Sequence, residues 1–303
     1  MSDFIPKLRV NACMSNPINK KTLSLVIGNG YLGSHLAPLL KTQLSCGISR
    51  HLKNQSFTSA TGEYISLECD IFNEKKLNKL YTILDNTLMD VYFMLPPSTF
   101  PSNNPTQALE PLFSLLHSLT VRRIVVVSSS SVYGTQREGL VNPESEVDIS
   151  TERAARAVQI EQAWVSFFST VAIVRLAGLY GPNRVVGKAS VLAGQVLDGS
   201  GESYINLLRI EDAANAIHSV MSLKYLRLLS LFSDGCPVER RQYYQFIARQ
   251  LGVCKPPSFK KSVTGSKGSK RCDPSSSWDA ISREPRYSNY EEGLLDLFAG
   301  AQA

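Results

Sequence analysis

The chain has 303 residues, a hydrophobic fraction of 43% and a formal net charge of +6. This length suffices for one large α/β domain or two small ones, and no apolar stretch is long enough to span a membrane. The modest charge does not form a basic cluster interleaved with aromatic residues, and the six cysteines contain no C-x-x-C pair; we therefore expect no nucleic-acid partner, no membrane partner and no metal site.

The first segment in chain order, residues 1–20, has no apolar core like that of a signal peptide. We interpret it as a loosely held N-terminal extension of a cytoplasmic protein. An apolar run of strand length follows it and ends in the turn Gly28-Asn-Gly-Tyr-Leu-Gly33, after which the apolar pattern becomes helical.

A G-x-G-x-x-G turn between a strand and a helix is typical of proteins that bind a dinucleotide pyrophosphate. The first glycine allows a sharp turn, the second allows the backbone to approach the phosphates, and the third allows the helix to pack on the strand. The phosphates then lie at the N-terminus of the helix. Glycines also serve ordinary turns, but the strand before and the helix after favour a cofactor site formed by Gly28, Asn29, Gly30, Tyr31, Leu32 and Gly33.

A second strand is predicted at 43–49, where dinucleotide-binding folds that use NAD carry an acidic residue for the ribose 2′-hydroxyl. This chain has Ser49 and Arg50 there instead. Since a guanidinium group can pair with a 2′-phosphate, we favour NADP(H) over NAD(H) as the cofactor. The alternative is a surface arginine that caps the strand.

The remaining pattern alternates strands and helices, which predicts a doubly wound parallel sheet of the Rossmann type in an α/β fold. We assign residues 21–182 to this dinucleotide-binding domain, with further strands at 64–70, 90–97, 123–128 and 170–176 and helices at 105–119 and 151–168. Residues 183–303 are expected to form a smaller substrate-binding α/β lobe, with helices at 189–197, 211–221 and 240–251 and strands at 204–208 and 229–233.

Four later motifs complete an ordered set with the glycine turn. They are Ser128-Ser-Ser-Ser-Val-Tyr-Gly134, Arg175-Leu-Ala-Gly-Leu-Tyr-Gly-Pro-Asn-Arg184, the segment from Asn206 to Ala216, and Ser233-Asp-Gly-Cys-Pro237. In this order they resemble the extended short-chain dehydrogenase/reductase family, also called the NAD-dependent epimerase/dehydratase family. The first glycine of the usual G-x-x-G-x-x-G form falls on Ile27, so the turn resembles that of the atypical branch.

The resemblance implies a Tyr-x-x-x-Lys pair on the helix after the serine strand, where the tyrosine exchanges a proton with the substrate. Those two positions fall on Arg153 and Ala157, and residues 151–168 contain neither a tyrosine nor a lysine. Ser129 is at the position of the substrate-polarising hydroxyl, and Ser130 is the next candidate. Tyr133 is a spare hydroxyl that could supply a proton, although packing in the wall of the site is the more ordinary role.

Further binding residues come partly from the resemblance and partly from the positions of the residues in the predicted elements. Asp70, after the third strand, corresponds to an adenine-contacting acid, with helix capping as the alternative. Pro96, in the proline pair that ends the fourth strand, and Tyr180 are placed with the cofactor-binding residues. Arg153 and Arg184 are candidates for an anionic group of the substrate, although a solvated helix face explains Arg153 equally well.

Our leading hypothesis from the sequence is an NADP(H)-dependent oxidoreductase of the atypical extended type, which acts on a small organic metabolite. The alternative is a non-catalytic NAD(P)-binding redox sensor or assembly partner. Epimerisation or dehydration of a sugar nucleotide ranks third, because those reactions depend on the missing tyrosine. The resemblance also implies a homodimer formed through the helices at 105–119 and 151–168.

Overall fold

The computed structural model describes residues 22–40, 44–51, 57–59, 62–84, 87–101, 104–134, 138–260 and 269–300. The N-terminal extension expected at 1–20 therefore lies outside the described residues. Within the described ranges, every helix is too short or too polar to cross a bilayer.

The strands and helices are numbered in chain order. The strands are β1 (Leu23–Ile27), β2 (Leu44–Ser49), β3 (Phe57–Ser59), β4 (Gly62–Glu68), β5 (Leu88–Phe93), β6 (Thr120–Ser129), β7 (Gly139–Val141), β8 (Val171–Leu176), β9 (Gly178–Tyr180), β10 (Leu197–Asp198), β11 (Tyr204–Ile205), β12 (Leu207–Arg209), β13 (Leu229–Phe232), β14 (Val238–Glu239), β15 (Phe259–Lys260) and β16 (Lys270–Cys272). The helices are α1 (Tyr31–Leu36), α2 (Glu74–Leu84), α3 (Pro105–Ser118), α4 (Glu152–Phe167), α5 (Lys188–Leu192), α6 (Ile210–Ser222), α7 (Arg240–Gln250), α8 (Ser275–Ala280) and α9 (Tyr290–Gly300).

The described residues form two compact units. The first consists of the residues up to 94 together with 100–124, and the second of 95–99 together with the residues from 125 onward. Strand β6 belongs to both, because its first half lies in the first unit and its second half in the second.

The first unit contains the sheet order β6-β5-β1-β2-β4-β3. Strand β1 is parallel to both of its neighbours, β2 and β5. All five of its residues are buried, as expected for a strand of a parallel sheet that is covered on both faces. Strand β4 is parallel to β2, and β3 pairs with β4 in the antiparallel direction.

The second unit contains the sheet order β13-β8-β6, with β13 parallel to β8. Every residue of β8 is buried. Helix α4 begins after Thr151, whose hydroxyl accepts a hydrogen bond from the backbone N–H of Ala154 at 3.2 Å and so caps the helix. Four two-stranded pairs complete this unit: β7 with β16, β9 with β12, β10 with β15, and β11 with β14.

The predicted α/β fold with a doubly wound parallel sheet of the Rossmann type is confirmed. Two element predictions in the second half of the chain were wrong. The helix expected at 189–197 ends at Leu192, because Gly194 adopts a left-handed conformation with φ 59°. The strand expected at 204–208 is interrupted at Asn206, whose side-chain amide bonds to the backbone of β16 instead.

Candidate functional site

The glycine turn after β1 is fastened to the end of β2. The backbone N–H groups of Gly28 and Asn29 both donate to the carbonyl of Ile48 at 3.0 Å, and the N–H of Gly30 donates to the carbonyl of Gly28 at 2.8 Å. Gly28 has φ 103°, a conformation that residues with a Cβ rarely adopt. The chain can therefore turn sharply at the carboxyl end of β1, as the sequence pattern predicted.

The other two glycines of the turn have different surroundings. A Cβ added to Gly33 would lie 2.8 Å from the carbonyl oxygen of Gly28, so α1 can approach the turn only because this side chain is absent. A Cβ added to Gly30 would meet no atom within 4 Å. The space above Gly30 is therefore open to a ligand.

Asn29 adds a polar group beneath the turn. It is almost completely buried, and its Nδ2 atom donates to the hydroxyl of Ser66 at 3.3 Å. Its Oδ1 atom is buried without a hydrogen-bond partner among the described residues. Since a buried acceptor without a donor is costly, this oxygen fits a site completed by a ligand or by water. The open space at Gly30 fits a dinucleotide diphosphate, whereas the Asn29 oxygen is an acceptor and needs a donor such as water.

Tyr31 and Leu32 are the first two residues of α1 and are half-buried. The ring of Tyr31 packs edge-on against His35, with ring centroids 5.1 Å apart. The backbone N–H groups at the start of a helix have no acceptor within that helix. Leu32 is thus placed to offer a backbone donor, and the Tyr31 ring packs on its own helix.

Ser49 and Arg50 lie at the end of β2, beside the glycine turn through the pairing of Ile27 with Ile48. The side chain of Arg50 is exposed and is the cationic group that the sequence predicted there. The hydroxyl of Ser49 donates to the carbonyl of His51 at 2.7 Å. Its only hydrogen is therefore engaged within the loop, and Arg50 is the stronger candidate for a phosphate.

Asp70 and Pro96 follow two other strands. The carboxylate of Asp70 accepts a hydrogen bond from the N–H of Phe72 at 3.1 Å and closes a turn. It does not cap α2, because Asn73 takes that position by accepting from the N–H of Lys76 at 3.2 Å. Pro96 belongs to the second unit and is exposed, and its carbonyl accepts from the N–H and hydroxyl groups of Thr99.

The four serines at the end of β6 form the polar centre of the second unit. Ser129 caps a 3-10 turn over residues 130–133, and its hydroxyl accepts from the N–H of Ser131 at 3.2 Å. Ser130 is buried and its side chain is hydrogen-bonded to that of Cys272. We call residues 128–134 the serine turn. The hydroxyls of Ser129 and Ser130 are hydrogen-bonded within the protein, and those of Ser128 and Ser131 are buried and have no partner among the described residues.

Tyr133, at the end of the serine turn, is fully buried in a network of charged groups. Its hydroxyl donates to the carbonyl of Pro143 at 3.4 Å and accepts from Arg175 at 3.1 Å. Arg175 also makes a two-pronged ion pair with Glu161 of α4, at 2.7 and 3.1 Å. Burial raises the pKa of the Tyr133 hydroxyl, while Arg175 opposes that change. These contacts are those of a structural tyrosine and favour the packing role that the sequence left open for it over that of a proton donor.

Helix α4 carries the two positions where the resemblance expects a tyrosine and a lysine. Arg153 lies exposed in the first turn, and Ala157 is buried. Arg156, one turn further on, pairs with Glu152 at 3.0 Å on the helix surface. Arg153 therefore remains the substrate-binding candidate on this helix, and Arg156 is engaged in a surface pair.

Tyr180 and Arg184 flank the turn after β9. Tyr180 is fully buried in an apolar cluster with Tyr243 and Leu294, and its hydroxyl lies against Gly293. Burial raises the pKa of the Tyr180 hydroxyl above its ordinary value. This is the position of a core residue, and the nicotinamide contact stays a prediction. Arg184 is exposed, and its backbone pairs with that of Gly181 at 2.9 Å in both directions.

Sequence reasoning missed Lys270, which lies on β16 far along the chain from the serine turn. Its Nζ atom donates to the carbonyl of Gly134. Burial lowers its pKa, and so does the charge of Arg153, whereas Cys272 and Asp148 act in the opposite direction. No sequence signal could have found it, because only the pairing of β16 with β7 brings it here.

Asp234, just after β13, is the second residue that the sequence did not single out. Its side chain accepts from the N–H of Cys236 at 3.0 Å, but its Oδ2 atom is buried without a partner among the described residues. Burial, with the charge of Asp212, raises its pKa to about 7. Among the residues that the structure describes, no cluster of three histidine, cysteine or acidic side chains is placed to hold a metal.

A parallel α/β sheet with such a glycine turn after its first strand defines the Rossmann class of proteins. The family model described as the NAD dependent epimerase/dehydratase family matches residues 24–225, which is more than half of the chain. The protein belongs to the NAD-dependent epimerase/dehydratase family, as the sequence motifs indicated.

Individual proteins are similar to this chain in sequence or in fold. The chain is 31% identical over 165 residues to Protein YeeZ of Escherichia coli strain K12; the match covers 54% of the chain and 58% of YeeZ, so it spans little more than half the length of this relative. A Methylobacillus flagellatus structure assigned to the NAD-dependent epimerases/dehydratases superposes with a TM-score of 0.74 at 17% identity, over 94% of this chain and all of that one. The dTDP-glucose 4,6-dehydratase of Bacillus anthracis, solved in complex with NAD, also gives 0.74, at 16% identity over 93% and 96% of the two chains.

Proposed function

We propose that the protein is an NADP(H)-dependent oxidoreductase of the atypical extended short-chain dehydrogenase/reductase type, and that it acts on a small organic metabolite. The observation that carries the proposal is the glycine turn, where the space above Gly30 is open. A dinucleotide held there supplies or accepts a hydride. Residues 21–182 would carry the cofactor, and residues 183–303 would form a smaller lobe that contributes to substrate binding.

The preference for NADP(H) is based on the end of β2. An exposed arginine there can pair with a 2′-phosphate, and the carboxylate that would bind a free 2′-hydroxyl is missing from that position. The family model, which matches residues 24–225, supports a nicotinamide dinucleotide but no particular form of it. The NAD complex of the Bacillus anthracis dehydratase supports binding of a nicotinamide dinucleotide to this fold.

On the substrate side, we assign the polarising role to Ser129 or Ser130 at the carboxyl end of β6, where ligands bind in doubly wound sheets. The unengaged hydroxyls of Ser128 and Ser131 support a ligand at this turn. Arg153 and Arg184 are both exposed, and we propose that they attract an anionic group of the substrate.

One observation favours the alternative of a non-catalytic NAD(P)-binding sensor. The two positions that carry the catalytic pair in the family are occupied by Arg153 and Ala157, which is what loss of catalysis with retained binding would leave behind. The same observation speaks against sugar-nucleotide epimerisation, since that chemistry uses the tyrosine as a base.

Calorimetric titration with NADPH, NADP, NADH and NAD tests the cofactor proposal. We expect the Arg50→Ala variant to lose at least tenfold in affinity for the phosphorylated forms, about 1.4 kcal/mol, and little for NADH and NAD. Arg249→Ala, which removes an exposed arginine from α7, is the control and should bind all four as the wild type does. Equal losses for both cofactor pairs in Arg50→Ala would refute the 2′-phosphate contact.

Turnover separates the enzyme from the sensor. We expect NADPH oxidation with at least one member of a panel of small carbonyl, imine and conjugated acceptors. A protein that binds NADPH tightly, turns over no acceptor and distinguishes NADP from NADPH would be the sensor.

A homodimer is the proposed assembly, with α4 as part of its interface. The side chains of Val165 and Phe167 near the end of α4 are exposed by 42% and 40%. Charged substitutions at these two positions should yield a monomer in analytical ultracentrifugation.

A further inference from the structure

Strand β16 runs beside the serine turn and presents two side chains to it. Alternate residues of a strand share a face, and Lys270 and Cys272 are two apart. Cys272 is hydrogen-bonded to Ser130, and Lys270 donates to the carbonyl of Gly134. Arg271, which points the other way, lies over the ring of Tyr204 at 5.5 Å. One face of β16 thus lies along the serine turn, with Cys272 at Ser130 and Lys270 at Gly134.

The position of β16 is fixed by Asn206. Its Nδ2 atom donates to the carbonyl of Lys270 at 3.0 Å, and its Oδ1 atom accepts from the N–H of Cys272 at 2.6 Å. Because the first and last residues of the strand are both hydrogen-bonded to this one side chain, the backbone that carries the Lys270 amine is held in place. Asn206 therefore acts as a positioning residue for this strand.

Burial lowers the pKa of the Lys270 amine, and the charge of Arg153, in the first turn of α4, acts in the same direction. The family resemblance places the missing tyrosine at position 153. The titratable groups that act on the pKa of Lys270 are Arg153 on α4, Asp148 on the loop after β7, and the thiol of Cys272 on its own strand, whose pKa burial raises to about 11.

We propose that Lys270 is the proton donor of this enzyme and takes the part of the tyrosine that α4 lacks. The proposal rests on the oxidoreductase function given above. In the reducing direction, the carbonyl carbon of the substrate gains the hydride that the reduced dinucleotide supplies. The carbonyl π electrons move to the oxygen, and that oxygen takes a proton from the ammonium group of Lys270. The products are an alcohol, the oxidised dinucleotide and a neutral amine, which regains its proton from water.

The amine suits this role because it is partly buried among groups that include a second cation. A lysine in such surroundings loses its proton more readily than an exposed one, and an acid of lowered pKa transfers a proton more readily near neutral pH. A purely structural latch between β16 and Gly134 would need only a persistent charge. An arginine at this position would serve the latch but could not give up a proton.

The first experiment needs no substrate. The full-length wild-type protein is labelled with acetic anhydride at a series of pH values, and the rate at each lysine is measured by mass spectrometry. We expect Lys270 to reach half of its maximal reactivity at a lower pH than Lys75, an exposed lysine of α2. A midpoint for Lys270 at or above that of Lys75 would overturn the proposal.

The second experiment compares Lys270→Met, Lys270→Arg and the control Lys75→Met in calorimetry and turnover. All three should bind NADPH as the wild type does. Both Lys270 variants should lose about 100-fold in kcat, as expected when a general acid is removed, and Lys270→Arg should also lose the basic limb of the pH profile.

Each remaining outcome is decisive. Wild-type turnover in Lys270→Arg would mean that Lys270 only holds β16 against the carbonyl of Gly134. That result would overturn the proposal. If the wild type binds NADPH but reduces no acceptor, the oxidoreductase function fails and the donor role fails with it; the labelling midpoint then shows whether the surroundings of Lys270 were described correctly.

Discussion

At the scale of single residues, Gly33 is needed for the packing of the protein, whereas we expect Gly30 to be needed only for binding of the cofactor. A methyl group at position 33 would press on the backbone oxygen of Gly28, whereas one at position 30 would meet nothing within 4 Å. We therefore expect Gly33→Ala to lower the melting temperature of the cofactor-free protein and Gly30→Ala to leave it almost unchanged. Both variants should lose NADPH affinity in calorimetry, Gly30→Ala because its methyl group occupies the space of the phosphates.

The two variants control each other, because the same atom is added in each. Unchanged NADPH affinity in Gly30→Ala would mean that the diphosphate does not lie over this turn. Equal melting temperatures for the two variants would contradict the packing of α1 against Gly28.

The second prediction at this scale concerns the pH dependence of stability at Asp234. Burial and the charge of Asp212 raise the pKa of this carboxyl group to about 7. Between about pH 4 and pH 7 the folded protein keeps a proton that the unfolded chain has lost, so the free energy of unfolding falls as the pH rises through this window. Asp234→Asn removes this cost. We expect the variant to be more stable than the wild type at pH 8 by a few kcal/mol, at about 1.4 kcal/mol for each unit of pKa difference, and the difference to vanish towards pH 4.

Urea denaturation at pH 4 and pH 8 measures the Asp234→Asn effect, and Asp273 provides a control of opposite sign in the same measurements. Hydrogen bonds from Ser275 lower its pKa, so this carboxylate stabilises the folded protein above its unfolded pKa and loses that effect as the pH falls. Asp273→Asn should therefore be the less stable variant at pH 8. The same sign for both variants would show that the two carboxyl groups do not differ in the way their surroundings imply.

At the scale of elements, the ion pair between Glu161 and Arg175 connects α4 to β8 and to the serine turn through Tyr133. Both side chains are buried, with 7% and 6% exposed. Removing one partner of such a pair leaves a buried charge and costs about 3–5 kcal/mol. We expect Glu161→Gln to reduce the free energy of unfolding by that amount in urea denaturation.

The control lies on the same helix. Glu152, 83% exposed, pairs with Arg156 one turn away, and exposed pairs of this spacing contribute about 0.3–0.5 kcal/mol. Glu152→Gln should therefore be almost neutral. Similar losses for the two variants would contradict a supporting role of the buried pair.

The elements also show what the sequence could predict. The apolar runs of β1 and β8 and the capped helix α4 have strong local signals, and their predicted bounds agree with the structure within one or two residues. The pattern did not reveal the short antiparallel strand β3, which adds only three residues to the edge of the sheet. It also missed the break at Asn206, because that residue bonds to a strand sixty-four positions away.

The same limit applies to the candidate site. The glycine turn is local in sequence, so its three glycines could be assigned separate roles before the structure was known. Lys270 reaches the serine turn only through the pairing of β16 with β7. The engagement of Tyr133 depends on Arg175, forty-two positions away. Contacts of this kind have no signature in a single sequence.

At the scale of the whole molecule, the turn that we assign to the cofactor belongs to the first unit and the serine turn to the second. A ligand that binds only the folded form stabilises it by RT ln(1 + [L]/Kd), about 2.7 kcal/mol at a hundredfold excess over Kd. If the two units unfold in separate transitions, NADPH should raise the transition of the first unit. If they unfold together, the single transition should rise.

We therefore predict that saturating NADPH raises the melting temperature in differential scanning calorimetry by several degrees, at about 2–4 °C for each kcal/mol in a chain of this size. NADH at the same concentration should give a smaller rise, because it lacks the phosphate that Arg50 would bind. Gly30→Ala should show no rise with either cofactor, although its own melting temperature is that of the wild type. In hydrogen exchange, the added protection should centre on residues 28–33 and 48–50. Protection confined to the second unit would place the dinucleotide elsewhere and remove the basis for assigning the glycine turn to it.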